Sequence, residues 1–93
     1  MVIYNIYNKI IKGGEKMNCL ELRGARARKG VSKKEIAALI GKTTTSYYKK
    51  EHGEIPFFPS EMLTIALRLE LDAEQFNLIF FDGKLPFRKK TAV

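Results

Sequence analysis

The chain has 93 residues, 45% of them hydrophobic and 29% charged, which is the composition of one small globular domain rather than a disordered segment. Seventeen Lys and Arg against ten Asp and Glu leave a formal charge of +7, a balance that favours a polyanionic partner, nucleic acid before an anionic membrane surface. One Cys and one His exclude a disulfide framework and most Cys/His zinc patterns, and no apolar run reaches transmembrane length.

Residues 2–11 set Val2, Ile3, Ile6, Tyr7, Ile10 and Ile11 at helical spacing, and Gly13-Gly14 breaks the pattern. Lys12-Gly13-Gly14-Glu15-Lys16-Met17 back-translates to a stretch that contains the ribosome-binding sequence GGAGG just ahead of the Met17 codon. Residues 1–16 are therefore expected to be either a translated leader before a native start at Met17 or an extra amphipathic N-terminal helix. The first helix of the domain is expected over 19–29, with Leu22, Ala25 and Arg26 on one side and Gly30 at its C-terminal end. Ser32 and Glu35 have capping-box spacing and open a second helix with Ile36, Ala37 and Ile40 inward, closed by Gly41. Thr43 or Thr44 caps a third helix over 43–51, and Gly53 ends it. After a loop with two prolines, Ser60 is expected to cap a fourth helix over 61–70. Its only polar line is Glu61, Thr64 and Arg68, so most of its circumference should be covered. Asp72 and Gln75 open a fifth helix over 73–81. No strand pattern competes, so the expected fold is a compact all-α, five-helix domain over 17–82, followed by a basic tail over 83–93.

Charge is unevenly placed. Residues 23–50 carry nine cations against Glu35 alone, whereas residues 51–82 carry seven acids against Arg68. Such a swing points to one face built for phosphates.

The second helix, the tight turn after Gly41 and the third helix have helix-turn-helix lengths. Over residues 20–71 the chain resembles the Cro and phage-repressor type of helix-turn-helix domain, the xenobiotic-response-element family. The resemblance lies in Arg26, the run Gly30 to Gly41, Thr43 to Tyr47, Glu51-His52-Gly53, Pro56, and Leu63, Ala66 and Leu69. It implies a lambda-repressor-like fold, a palindromic DNA operator read by a homodimer, and an ion pair between Arg26 and Glu51. It also implies that Lys33 and His52 flank the groove on the DNA backbone. Lys50 and the bulky Tyr47 depart from the family pattern.

With Tyr47 inward, the helical step turns Thr44, Thr45, Tyr48 and Lys49 outward, where they are the expected base contacts in the major groove. Lys33, Thr43, Ser46 and His52 are the expected phosphate contacts, with Arg28, Lys29, Lys34 and Lys42 behind them. No catalytic set, metal-spaced cluster or phosphate-cradling loop is present, so no enzyme activity, cofactor, metal, membrane or small-molecule ligand is expected. The expected location is the cytoplasm, because the N-terminus lacks a basic n-region and a signal cleavage site. In the fifth helix, Ala73, Phe76, Ile79 and Phe80 line one face, and Leu78 and Phe81 lie roughly opposite. Leu78 and Phe81 form either a dimer interface or a patch covered by Leu85, Pro86 and Phe87. These readings leave a DNA-binding regulator first, an antitoxin-like adaptor that grips a protein through the fifth helix second, and, behind both, a membrane-associated basic protein that uses residues 2–11. Intact mass of the protein from its own cell is expected to correspond to a start at Met17; a start at Met1 would remove the leader reading.

Overall fold

The first helix is anchored before it begins. Asn18 accepts the Glu21 N–H at 3.1 Å through its side chain, while its own N–H donates to the Ile79 carbonyl at 2.7 Å. This N-cap therefore ties the first described helix to the last described one. The computed structural model describes residues 17–85, so the readings of residues 1–16 and of the tail from residue 86 lie outside the described residues. The described chain is all-helical: α1 (Cys19–Arg28), α2 (Lys33–Leu39), α3 (Thr44–Glu51), α4 (Pro59–Leu69) and α5 (Ala73–Phe81), with no strand among the described residues.

Local chemistry sets the boundaries. Ser32 accepts the Glu35 N–H at 3.0 Å, and Thr43 accepts the Ser46 N–H at 3.0 Å. Asp72 and Gln75 form a full capping box, at 2.8 and 3.0 Å. At Ser32 the box is half made, because the Glu35 carboxylate instead takes the Arg68 Nε at 2.7 Å and so links α2 to α4. α2 ends in a Schellman turn: Gly41 N–H donates to Ala38 O, and Lys42 N–H to Ala37 O at 2.8 Å. Gly41 has φ +72°, which a side chain would strain, and this lets α3 start three residues later.

α4 begins two residues earlier than expected. Its N-cap is Phe58, not Ser60, and Pro59 takes the first helical position, where its missing N–H costs nothing. The Phe58 N–H donates at 2.9 Å to the Glu61 carboxylate, which turns inward and is buried. The expected polar line on α4 is thus wrong at Glu61. The expectation that most of the helix is covered also fails, since Leu63 is 60% and Leu67 80% exposed.

The core gathers Leu22 and Ala25 from α1, Val31, Ile36 and Ala37 from α2 and its approach, and Tyr47 from α3. Phe57, Met62, Ile65 and Leu69 join from the loop and α4, and Ile79, Phe80 and Phe81 from α5. Phe81 is therefore a core residue, contrary to its assignment to a partner surface. The chain reverses directly after it: Gly83 N–H donates to Asn77 O, Lys84 N–H to Phe81 O, and Leu85 packs against the core from the returning strand of chain. Ala73, expected inward, is exposed.

Ala37 is 2% exposed and sits in the close pairing of α2 with α3. Ala37→Leu is expected to overpack that crossing by about 1–3 kcal/mol. In a domain of this size that lowers Tm by roughly 4–8 °C per kcal/mol, measurable by calorimetry.

Candidate nucleic-acid interface

The orientation of α3 is fixed from behind. Tyr47 is fully buried, and its ring lies 6.0 Å from that of Phe57. Its hydroxyl donates to Glu51 Oε2 at 2.9 Å, and Glu51 is itself fully buried. Arg26 Nε donates to the same oxygen at 2.7 Å, Nη2 to Oε1 at 3.4 Å, and Nη1 to the Val31 carbonyl at 3.1 Å. Burial alone would lower the Arg26 pKa, but the hydrogen bonds and charge of Glu51 outweigh it and hold the guanidinium above its ordinary value. Burial, then the adjacent Glu51 charge, pushes the Tyr47 hydroxyl well above the usual phenol range.

A second inward group comes from Lys50. It is buried, and its ammonium donates to the Pro56 carbonyl at 3.0 Å and to Glu61 Oε1 at 3.1 Å. The ammonium also lies 5.1 Å from the Phe58 ring centroid. Sequence reasoning left Lys50 between the core edge and a phosphate and placed Glu61 in solvent. Part of a signal was present: Lys50 lies about 60° from the inward Tyr47 on the helical wheel, so a core-facing lysine there needs a carboxylate, but the sequence offers Glu54 before Glu61 and does not choose between them.

With Tyr47, Lys50 and Glu51 turned inward, Thr44, Thr45, Tyr48 and Lys49 are exposed together on the outer face. Tyr48 stacks on His52 at 4.0 Å between centroids, and the Lys33 ammonium lies 5.3 Å from the Tyr48 ring centroid. Lys33 from α2 and His52 from the end of α3 thus flank one ring. His52 Nδ1 is 2.9 Å from the Tyr48 carbonyl, which can only accept, so Nδ1 carries a proton and Nε2 remains for another partner. Thr43 is exposed, but its oxygen is used in the cap; Ser46 is half-buried at the side. Leu78 is exposed on α5, apart from this group.

Carboxylates already neutralise several of the cations named above. Arg28 faces Glu21 at 3.9 Å, Lys29 meets Glu70 at 2.5 Å, and Lys42 lies 4.0 Å from Glu61. The Lys29 ammonium holds the Glu70 carboxyl below its ordinary value. Among the described residues, Arg23, Lys33, Lys34, Lys49 and Lys84 have no carboxylate partner. Of these, Lys49 lies on the outer face of α3 and the Lys33 ammonium reaches the Tyr48 ring there from α2, and that face carries no acid. No group of three or more His, Cys, Asp or Glu that could hold a metal occurs among the described residues, and no described helix is long and apolar enough to cross a membrane. Comparison with protein-family models, with curated proteins and with solved structures gives no significant match.

The buried phenol makes stability sensitive to alkali. An unfolded tyrosine ionises near pH 10, while folded Tyr47 holds its proton beyond that. The native state then binds more protons than the unfolded state, so stability falls as pH rises above about 10, by up to ~1.4 kcal/mol per pH unit. Tyr47→Phe is expected to cost about 0.5–1.5 kcal/mol at neutral pH and to flatten the alkaline fall. Urea unfolding between neutral pH and pH 11 measures both effects.

Proposed function

We propose that this protein is a sequence-specific regulator of transcription that binds double-stranded DNA through α2 and α3, arranged as a lambda-repressor-like helix-turn-helix. The observation that carries the reading is the acid-free outer face of α3, where Lys49 and the neighbouring Lys33 have no carboxylate partner. A face of this kind meets phosphates without a repelling carboxylate, and its polar side chains reach base edges. The resemblance to the Cro and phage-repressor family supports the same assignment, with α3 as the element that enters the major groove.

The roles follow from side-chain chemistry. Lys49 donates to guanine O6 or N7, and Thr44 and Thr45 bond base edges or pack their methyls on thymine. Tyr48 presents an exposed ring edge beside them, held in place by Lys33 and His52. Lys33 and the free Nε2 of His52 contact phosphates on either side, with Lys34 adding charge. Arg26 and Glu51 act indirectly, by fixing the rotation of α3. The alternative in which α5 grips a protein through Leu78 and Phe81 loses its principal residue, because Phe81 lies in the core.

Selection of bound sequences from a random DNA pool is expected to return a defined site, with affinity falling steeply as salt rises. Lys49→Ala and Thr45→Ala are each expected to weaken that site by about 1–3 kcal/mol while binding to random DNA changes much less. Equal losses on both DNAs would move these side chains from bases to phosphates, and no enrichment from the pool would sink the proposal.

A further inference from the structure

We infer that DNA binding by this protein takes up a proton at His52, whose imidazolium is the form that meets a phosphate, so that affinity follows pH; this rests on the DNA-binding reading proposed above and adds a regulation to the same face. His52 is the C-cap of α3 and the one histidine of the chain. Its Nδ1 lies 2.9 Å from the Tyr48 carbonyl, which also accepts the His52 backbone N–H at 3.0 Å. Its ring stacks on the Tyr48 ring at 4.0 Å between centroids. The side chain is thus folded back on its own helix, and the bond and the stack together fix the orientation of the ring.

That orientation decides what each ring nitrogen can do. The Tyr48 carbonyl can only accept, so Nδ1 carries the proton of the neutral ring. Nε2 is then a bare lone pair, and against a phosphate oxygen two acceptors would face each other. The other neutral tautomer moves the clash to Nδ1, where a lone pair would face the carbonyl at 2.9 Å. Only the imidazolium, protonated on both nitrogens, satisfies the carbonyl and donates to a phosphate at once. A histidine free to turn meets a phosphate in its neutral form; His52 does so only by losing its bond and its stack.

The charges around the ring leave its counter-ion to come from outside. On α3 its neighbours are the Tyr48 phenol and, three residues back, Lys49; from α2 the Lys33 ammonium lies 5.3 Å from the centroid of the same Tyr48 ring. α1 approaches through Cys19, whose Sγ would lie 3.3 Å from a Cβ at Gly53, with Arg23 one turn further along that helix. Of the nearby acids, Glu51 is buried against Arg26 and Tyr47, and Glu54 is exposed in the loop. Neither pairs with the ring, and no carboxylate among the described residues lies within ion-pair distance of it. A phosphate at Nε2 therefore supplies the missing anion and holds the proton more tightly in the complex than in the free chain. The sign follows: affinity is highest at low pH and falls as pH rises through the range in which the bound imidazolium gives up its proton, for an imidazole about pH 5–8.

Binding of the whole chain to a duplex carrying the site it selects from a random pool, at fixed salt, tests this. Affinity is expected to rise about tenfold for each bound chain between about pH 8 and pH 5.5. The salt slope is expected to steepen by about 0.9 for each bound chain over the same range, as one more phosphate is neutralised. His52→Gln, which keeps a neutral N–H of similar reach, is expected to lose the pH dependence, and His52→Arg to bind tightly throughout. Because the chain has one histidine, its Cε1–H resonance is followed directly in the unaltered protein, and its titration midpoint is expected about one pH unit higher with DNA than without. Affinity that moves equally with pH in wild type and His52→Gln, or a midpoint unchanged by DNA, overturns the inference and leaves the DNA-binding reading standing. A chain that selects no site at any pH removes that reading and the inference with it, so the two failures are told apart.

Discussion

The carboxylate of Glu51 is the point on which the domain turns. It is fully buried, yet it receives a phenol from its own helix and a guanidinium from α1, and that guanidinium also holds the carbonyl of Val31 in the turn before α2. Three elements are thus joined through one ion. An isolated buried carboxylate is costly, and removing either partner of such a pair commonly costs about 3–5 kcal/mol. The network contributes more to specificity of arrangement than to net stability. The rotation of α3 that turns Tyr47 and Glu51 inward together, so that Glu51 meets Arg26, puts Thr44, Thr45, Tyr48 and Lys49 outside.

Lys50 and Glu61 repeat the device one step along. Their ion pair is buried, and its unused hydrogen-bonding capacity is met by the carbonyl of Pro56 and the N–H of Phe58. The loop after α3 is thereby fastened to the start of α4, and Phe57 is carried into the core between the rings of Tyr47 and Phe80. Both networks also sort the charges of the chain. Cations that meet carboxylates are withdrawn from long-range electrostatics, and Lys33 and Lys49 remain to set the field at the outer face of α3. In the proposed function these two are what a nucleic acid first encounters there.

The two final helices show how limited a core of this size is. Both are apolar on more than one face, and the five described helices do not enclose them fully. At α5 the shortage is resolved inside the chain, since the reversal after Phe81 closes the end of the helix. At α4 it is left open among the described residues, where Leu63 and Leu67 stay exposed.

Much of this was determined by local sequence. Capping side chains at Ser32, Thr43 and Asp72, and the Gly41 turn with its positive φ, set helix number, order and most boundaries, because those effects act within a single turn. Helical periodicity likewise put Thr44, Thr45, Tyr48 and Lys49 on a common face. The resemblance to a known family, rather than periodicity, supplied the pairing of Arg26 with Glu51, which the structure places at 2.7 Å. Tertiary structure alone decided the inward turn of Lys50 and Glu61, the burial of Phe81 and the exposure of Leu63 and Leu67. A helical wheel ranks the faces of one helix, but whether a face is covered depends on where the neighbouring helices and the returning chain lie. Whether a charge is free depends on a partner distant in sequence, and those two facts belong to the packing of the whole chain.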